Sequence, residues 1–191
     1  MIVDHDLLVS LNGLRQRSVV RIRPMPVAES REWRYDRETI RPRSDRFFSI
    51  VGIEHAGRKQ PIIDQHEIGT LAFLFRRTCA GQDVLVQMKN EPGNVEGIQI
   101  APTCQTTLSN LERAHGGHAP PGFELAREGP WSVLSDSLQT EQGTRFYRKR
   151  NRNLSLMWAG SGNGPEWAGR DLVWTDARTV LRLLGRDFTV N

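Results

Sequence analysis

Residues 84–117 constrain the fold more than any other stretch, because two apolar segments in it enclose a dense polar turn. Residues 84–88 are typical of a buried strand, and residues 95–100, ahead of Pro102, are typical of a second strand. Charged and amide side chains fill residues 89–94 between them, and small and amide side chains follow at residues 103–110. Since buried polar groups are costly without partners, this density predicts a wall of hydrogen-bonding groups and not a plain core.

The rest of the chain predicts an α+β fold, in which many short strands accompany two or three helices. Leucines at helical spacing predict a helix over residues 4–17, with Asp4 or Asp6 near its start. Further helices are expected at 106–115, at 139–152 and at the end of 171–184, where Thr175 or Asp176 lies near the cap. Strands are expected at 19–22, 47–53, 60–63, 69–76 and 154–158, and residues 29–42 are expected to be irregular.

Length and charge point to one globular domain, residues 1–191, with a small anionic ligand. Hydrophobic residues make up 38% and charged residues 25%, as in ordinary soluble proteins. The 26 Lys and Arg exceed the 22 Asp and Glu by only four charges, which is too mild a bias to indicate nucleic acid.

No metal, membrane or redox-cofactor signal stands out. Cys79 and Cys104 lack the spacing of metal ligands, so no metal site is predicted. The N-terminal residues contain neither a signal peptide nor an apolar run long enough to span a membrane, and we expect a cytoplasmic protein without a membrane partner. A glycine-rich dinucleotide motif is also missing, so no cofactor is predicted.

Two ordered motifs in the central stretch, residues 87–94 and 99–105, resemble the signature of the NDP-hexose 2,3-dehydratases. Similar motifs precede them at 46–52 and 60–63 and follow them at 136–143 and 149–153. The resemblance covers about residues 19–191. Enzymes of that family carry two tandem copies of the domain, whereas this sequence contains one.

The resemblance implies a Nudix-like fold, a mixed β-sheet flanked by helices, without the glutamate-rich magnesium helix of Nudix hydrolases. It also implies a nucleotide-diphosphate sugar as substrate, a 4-keto-6-deoxyhexose used in antibiotic biosynthesis. A base would remove the C3 proton beside the ketone, an enolate would form, and the C2 hydroxyl would leave as water. Such a site needs a base, a donor to the enolate oxygen and an acid for the hydroxyl, and no redox cofactor.

The first candidate cluster lies in the central stretch. With the resemblance, Lys89 and Glu91 are candidate catalytic residues, and the candidate substrate-binding residues are Gln87, Asn94, Gln99, Thr103 and Gln105. Alternation along a strand puts Gln87 and Lys89 on one face. The alternative for Glu91 and Asn94 is a turn in which they cap backbone groups, and the spacing alone favours it.

The second candidate cluster lies downstream. Glu141 is its candidate catalytic residue, and the candidate binding residues are Gln142, Arg145, Arg148, Lys149, Arg150, Asn151 and Arg152. The basic run at 148–152 suits a diphosphate, because arginines bind its oxygens in pairs. The alternatives are a solvated charge run and an i,i+4 helix pair of Glu141 with Arg145. His115, beside two glycines, is a further candidate base or simply the end of a helix.

Three functions remain open from the sequence. The first is dehydration of a nucleotide-linked 4-keto sugar, the second is a non-catalytic sugar-nucleotide-binding partner protein, and the third is a dehydratase or cyclase for a non-sugar natural product. A homodimer is expected to cover the apolar surface that tandem copies share. Its candidate contacts are Leu7, Leu11, Leu14, Leu181 and Leu184, and the alternative is packing of each helix on its own sheet.

Overall fold

A computed structural model of the chain describes residues 3–107, 122–162, 164 and 171–191. Within them the helices are α1 (Val3–Arg17), α2 (Phe123–Glu128) and α3 (Ala177–Leu183), besides a 3-10 turn at Val27–Glu29. The strands of the described residues, in chain order, are β1 (Trp33–Asp36), β2 (Thr39–Pro42), β3 (Ser49–His55), β4 (Arg58–Asp64), β5 (Gly69–Thr78), β6 (Gly81–Asn90), β7 (Ile98–Pro102), β8 (Cys104–Thr106), β9 (Trp131–Thr140), β10 (Phe146–Tyr147), β11 (Arg150–Trp158) and β12 (Leu172–Asp176). No helix of these described residues is both long enough and apolar enough to cross a membrane.

The strands form two mixed sheets. The seven-stranded sheet has the order β12-β6-β5-β11-β9, with β7 paired to β6 and β8 paired to β5. The five-stranded sheet has the order β1-β2-β3-β4-β10. Strand β11 is parallel to β5 and β10 is parallel to β4, whereas the other pairs are antiparallel. The predicted α+β class, with mixed sheets and few helices, is confirmed.

Strand β6 organises the core because both of its faces are apolar along most of its length. One face packs against α1 and α3 in a cluster that contains Leu7, Leu11, Val84, Val86, Met88, Ile100 and Leu183. The other face contributes Leu85 to a second cluster with Leu74, Leu156 and Leu172. Each fully buried aliphatic side chain contributes about 1.5–3 kcal/mol. The N-terminal leucine stripe is therefore buried within its own chain at Leu7 and Leu11.

The seven-stranded sheet splits at Thr103. Strands β5 and β6 pair from Thr78 and Gly81 as far as Leu74 and Leu85. Beyond that point β8 continues along β5 and β7 continues along β6. The fully buried Thr103 hydroxyl accepts the Leu74 N–H at 3.0 Å and donates to the Leu85 carbonyl, so it satisfies both backbone groups at the split.

Three local predictions are wrong. Residues 29–42 are not irregular, because they contain the hairpin of β1 and β2, and Trp33 packs there on Phe48 with ring centroids 5.0 Å apart. Residues 19–22 form no strand, since no strand among the described residues pairs with them and Val20 is 59% exposed. Residues 139–152 are not helical, because pairing of β11 with β5 and β9 overrides the local preference.

Other predictions are confirmed with shifted boundaries. The helix expected at 4–17 is α1, and the strand and helix expected at 171–184 are β12 and α3. Asp176 caps α3, since its carboxylate accepts the Arg178 N–H at 2.9 Å. Asp6 lies inside α1 and does not cap it. The strand expected at 95–100 begins at Ile98, and most of the helix expected at 106–115 lies outside the described residues.

Candidate active site

A cavity of about 330 Å³ lies where the five-stranded sheet meets the split end of the seven-stranded sheet. Its size falls within the range of small-molecule sites, about 300–1,000 Å³. The lining residues are Phe47, Phe48, Ile63, Gln65, Gly69, Thr70, Leu71, Lys89, Glu91, Gln105, Thr106, Thr107, Glu141, Phe146, Lys149 and Asn151. We call this space the central cavity.

One polar side of the central cavity comes from the two strands that the split separates. Lys89 at the end of β6 places its Nζ 2.6 Å from Glu91 Oε1 and donates to Gln105 Oε1 of β8 at 3.0 Å. The other Glu91 oxygen, Oε2, accepts from Asn191 Nδ2 at 2.7 Å. Lys89 therefore joins β6 to β8 and presents a paired ammonium and carboxylate at the mouth of the split. Both side chains are half-buried, so solvent screens them only in part.

The other polar part of the lining comes from the start of β11 and from the residues between β9 and β11. Asn151 Nδ2 donates to Glu141 Oε2, and the Gln142 backbone N–H donates to Glu141 Oε1 at 3.1 Å. The buried Lys149 side chain donates from Nζ to the Glu67 carbonyl. Burial lowers the pKa of Lys149, and the negative charges of Glu67 and Glu141 offset that shift in part.

Gly69 makes room for Asn151. The two residues are opposite each other where β5 pairs with β11. A Cβ on Gly69 would lie 2.3 Å from Asn151 Oδ1, so a side chain there would displace the amide that orients Glu141. Gly69 was not among the predicted site residues, although its place at the start of an apolar strand was a signal for a close approach of another chain segment.

The five-stranded sheet and the segment that leads into β3 supply an apolar wall. Phe47, Phe48, Ile63 and Phe146 line the central cavity, and the rings of Phe47 and Phe48 lie 4.5 Å apart. Such a wall shields one side of the cavity from water. These residues were not among the predicted site residues, although Phe47 and Phe48 stand in the motif at 46–52.

The central cavity gathers only part of the predicted set. Lys89, Glu91, Gln105, Glu141, Lys149 and Asn151 line it. Gln87 and Gln99 are buried elsewhere, and Thr103 is occupied by the backbone at the split. Asn94 donates from Nδ2 to the Gly97 carbonyl at 2.8 Å, as the turn alternative requires.

The basic run at 148–152 is divided between different surroundings. Lys149 and Asn151 line the central cavity, whereas Arg148 and Arg150 are exposed. Arg152 instead donates from Nε to Asp136 Oδ1 at 2.8 Å, and this bond holds the pKa of Asp136 below its usual value. Gln142 and Arg145 are exposed in the turn that precedes β10. His115 lies outside the described residues.

The family of the chain follows from comparison with known proteins. The family model described as NDP-hexose 2,3-dehydratase matches residues 4–191. This chain belongs to that family.

Three similar proteins share the description dTDP-4-dehydro-6-deoxy-alpha-D-glucopyranose 2,3-dehydratase. The protein of Amycolatopsis orientalis is 35% identical over 93% of this chain and 40% of its own length. That of Saccharopolyspora spinosa is 36% identical over 87% of this chain and 36% of its length, and that of Streptomyces violaceoruber is 35% identical over 90% and 40%. The chain thus spans about 40% of the length of these relatives.

A solved structure described as an ADP compounds hydrolase aligns with 88% of this chain and 87% of its own. The TM-score is 0.40 and the sequence identity is 9%, a likeness too distant to carry an argument.

Proposed function

We propose that this chain removes water from a nucleotide-linked 4-keto-6-deoxyhexose. The observation that carries the proposal is that two polar pairs line the central cavity, Lys89 with Glu91 and Glu141 with Asn151. Family membership supports it, as do the three relatives whose names give a 2,3-dehydratase.

The reaction breaks the C3–H bond and the C2–O bond and forms a double bond between C2 and C3. We assign Lys89 to the ketone oxygen, because an ammonium there stabilises the negative charge that develops as the C3 proton leaves. Glu91 and Glu141 are the carboxylates available to accept that proton. The carboxylic acid formed when one of them accepts that proton then donates it to the departing C2 hydroxyl, which leaves as water.

The hydrophobic wall gives the proposal a further physical reason. Phe48 and Phe146 add apolar lining to the same cavity, which excludes part of the solvent. In a less polar medium the attraction between an ammonium and an enolate oxygen grows stronger than in bulk water. The binding role falls to Gln105, Lys149 and Asn151, whose polar atoms face the same space.

The test is incubation of the purified chain with a thymidine-diphosphate 4-keto-6-deoxyhexose, followed by mass spectrometry. We expect a product lighter by one water. If proton removal is reversible, solvent deuterium should appear at C3 of the recovered substrate, because C3 of the product carries no hydrogen. The matched control is thymidine-diphosphate glucose, which lacks the ketone that acidifies the C3 proton and should lose no water. Binding of the keto sugar without loss of water would contradict the enzymatic proposal and favour a binding module.

We also propose that the chain forms a homodimer and takes part in deoxysugar biosynthesis for antibiotics. Leu181 on α3 and Leu184 directly after it support the assembly, since they are 67% and 61% exposed. Leu7 and Leu11 are buried in the chain's own core, so the interface would not include them. Sedimentation of the purified chain should give twice 21.7 kDa. A monomer at high micromolar concentration would contradict the dimer.

A further inference from the structure

A second cavity, of about 600 Å³, adjoins the central cavity at Phe47. Its lining residues are Arg31, Glu32, Trp33, Pro42, Arg43, Ser44 and Phe47. We propose that this hairpin cavity binds the nucleoside diphosphate of the substrate, with the base on Trp33 and Phe47 and the diphosphate on Arg31 and Arg43. The inference rests on the proposed function and adds the location of the part of the substrate that does not react.

Continuity of the two spaces is the first argument. Phe47 lines both cavities, and Phe48 of the central cavity packs against Trp33 of the hairpin cavity with ring centroids 5.0 Å apart. The central cavity is near the lower end of the usual range for ligand sites, about 300–1,000 Å³. A substrate made of a hexose, a diphosphate and a nucleoside therefore has room for its sugar in the central cavity and for its nucleotide in the hairpin cavity.

Charge is the second argument, because the arginines in and beside the β1–β2 hairpin differ in whether they have carboxylate partners. Arg34 and Arg41 point to Asp36 and Asp45, with which they form ion pairs.

Arg31 and Arg43 differ from that pair. Among the described residues, neither guanidinium has a carboxylate partner, and both line the hairpin cavity. Glu32 is the one acidic side chain in the described lining, so the cations outnumber it by two to one. A guanidinium fork matches the oxygens of a phosphate, and unpaired forks suit a diphosphate.

Local hydrogen bonds hold the aromatic surface in place, which is the third argument. The Ser30 hydroxyl accepts the backbone N–H groups of Glu32 at 3.3 Å and Trp33 at 3.0 Å. The Arg43 N–H donates to the Glu32 carbonyl at 2.8 Å, which continues the pairing of β1 with β2. Trp33 is thus fixed before any ligand arrives, and a base stacks on a ready ring with little loss of freedom.

The basic run at 148–152 is the rival location for the diphosphate. It offers less, because Arg152 is bound to Asp136 and Arg150 lines neither cavity. The two locations predict different effects of arginine replacement, so titration calorimetry with thymidine diphosphate separates them.

The main variant is Arg31→Ala with Arg43→Ala. We expect its Kd for thymidine diphosphate to rise at least about tenfold, the factor that corresponds to about 1.4 kcal/mol. Arg31→Lys with Arg43→Lys should recover part of the affinity, since it restores the charges without the forks. The matched control is Arg58→Ala with Arg77→Ala, which removes the same charge from exposed positions that line neither cavity and should leave Kd unchanged.

Trp33→Leu separates the base from the diphosphate. We expect it to weaken thymidine diphosphate but to leave inorganic pyrophosphate unaffected, because only the nucleotide has a ring to stack. If that variant unfolds, the arginine pair still decides the matter, since both side chains are exposed and their removal spares the core.

Two outcomes overturn the inference. One is a wild-type chain that binds no thymidine diphosphate, or an Arg31/Arg43 variant that binds it as the wild type does. The other is an Arg150→Ala variant that weakens binding as much as the arginine pair. A chain that binds the nucleotide through Arg31 and Arg43 but releases no water from the keto sugar supports the inference and refutes the proposed function, so the two failures remain distinct.

Discussion

The two sheets line the same central cavity with opposite chemistry. The seven-stranded sheet and the segments that follow β6 and β9 bring Lys89, Glu91 and Glu141 to this cavity, whereas β10 brings Phe146 and the segment just before β3 brings Phe48. The ionisable groups lie at or just beyond the ends of strands β6 and β9. The aromatic groups lie in or beside the five-stranded sheet and supply apolar contact area. The ionisable groups are therefore suited to proton transfer, and the aromatic groups are suited to contact with the substrate.

The largest expected effect comes from the polar wall, which is the part of the cavity lining formed by Lys89, Glu91 and Glu141. Glu91→Gln and Glu141→Gln should both fold, and at least one should lower kcat by about 10²–10⁴-fold, the usual contribution of a general acid or base. Steady-state rates of water loss measure it, with circular dichroism as the folding check. Full activity in both variants would move the base to another group and would end the assignment of chemistry to this wall.

The split of the seven-stranded sheet, which opens the polar wall, gives the next effect. Thr103→Val keeps the side-chain shape but removes the hydroxyl that serves the Leu74 N–H and the Leu85 carbonyl. Each buried group left without a partner costs about 1–3 kcal/mol, so urea denaturation should show a clear loss of unfolding free energy.

Thr175→Val is the matched control for that variant. Thr175 is buried as well, but its hydroxyl has no hydrogen-bond partner among the described residues. We expect this replacement to be neutral or stabilising. Equal losses at both threonines would show that burial, and not the bonds at the split, accounts for the effect.

A smaller effect is expected from the apolar wall, to which Phe146 belongs. Phe146→Leu replaces a ring of the cavity lining by a smaller aliphatic side chain. We expect the lost contact with the keto sugar to raise KM by up to about tenfold, which corresponds to about 1.4 kcal/mol of binding free energy, while kcat holds. Initial rates over a range of substrate concentrations separate the two constants. A fall in kcat with KM unchanged would remove the distinction between the two walls.

The smallest effect concerns Lys149 and pH. Burial lowers the pKa of this ammonium in the folded chain below the value of 10.5 for a free lysine. Below that value the unfolded chain binds the proton more tightly, so unfolding takes up protons and the folded state gains stability as pH rises. Lys149→Met lacks this contribution, so thermal melts just below pH 10.5 should give the variant a more negative slope of melting temperature against pH than the wild type.

Cys104 does not disturb that comparison. Burial raises its pKa to about 11, which lowers stability at high pH, but both proteins contain this thiol. Its contribution therefore cancels in the difference between the two slopes. If the slope were instead more positive for Lys149→Met than for the wild type, the surroundings of Lys149 would favour its charged form.

Part of the site was predictable because it depends on residues that are consecutive in the sequence. Residues 84–88 are apolar without interruption, so burial of β6 needed no knowledge of its neighbours. Lys89 and Glu91 follow directly at its polar end, and the chain cannot bury both unpaired. The sequence alone determined that polar side chains, Lys89 and Glu91 among them, would follow a core strand, whereas their pairing is seen only in the structure.

Only the tertiary structure decided how the rest was used. Residues 139–152 have helical character, yet pairing with two neighbouring strands makes part of them β11 and divides the basic run. Residues 29–42 look like surface loop, yet the packing of Trp33 on Phe48 stabilises a hairpin there. Strand pairing and ring contacts join residues far apart in the chain, so their energy does not appear in any local window of sequence.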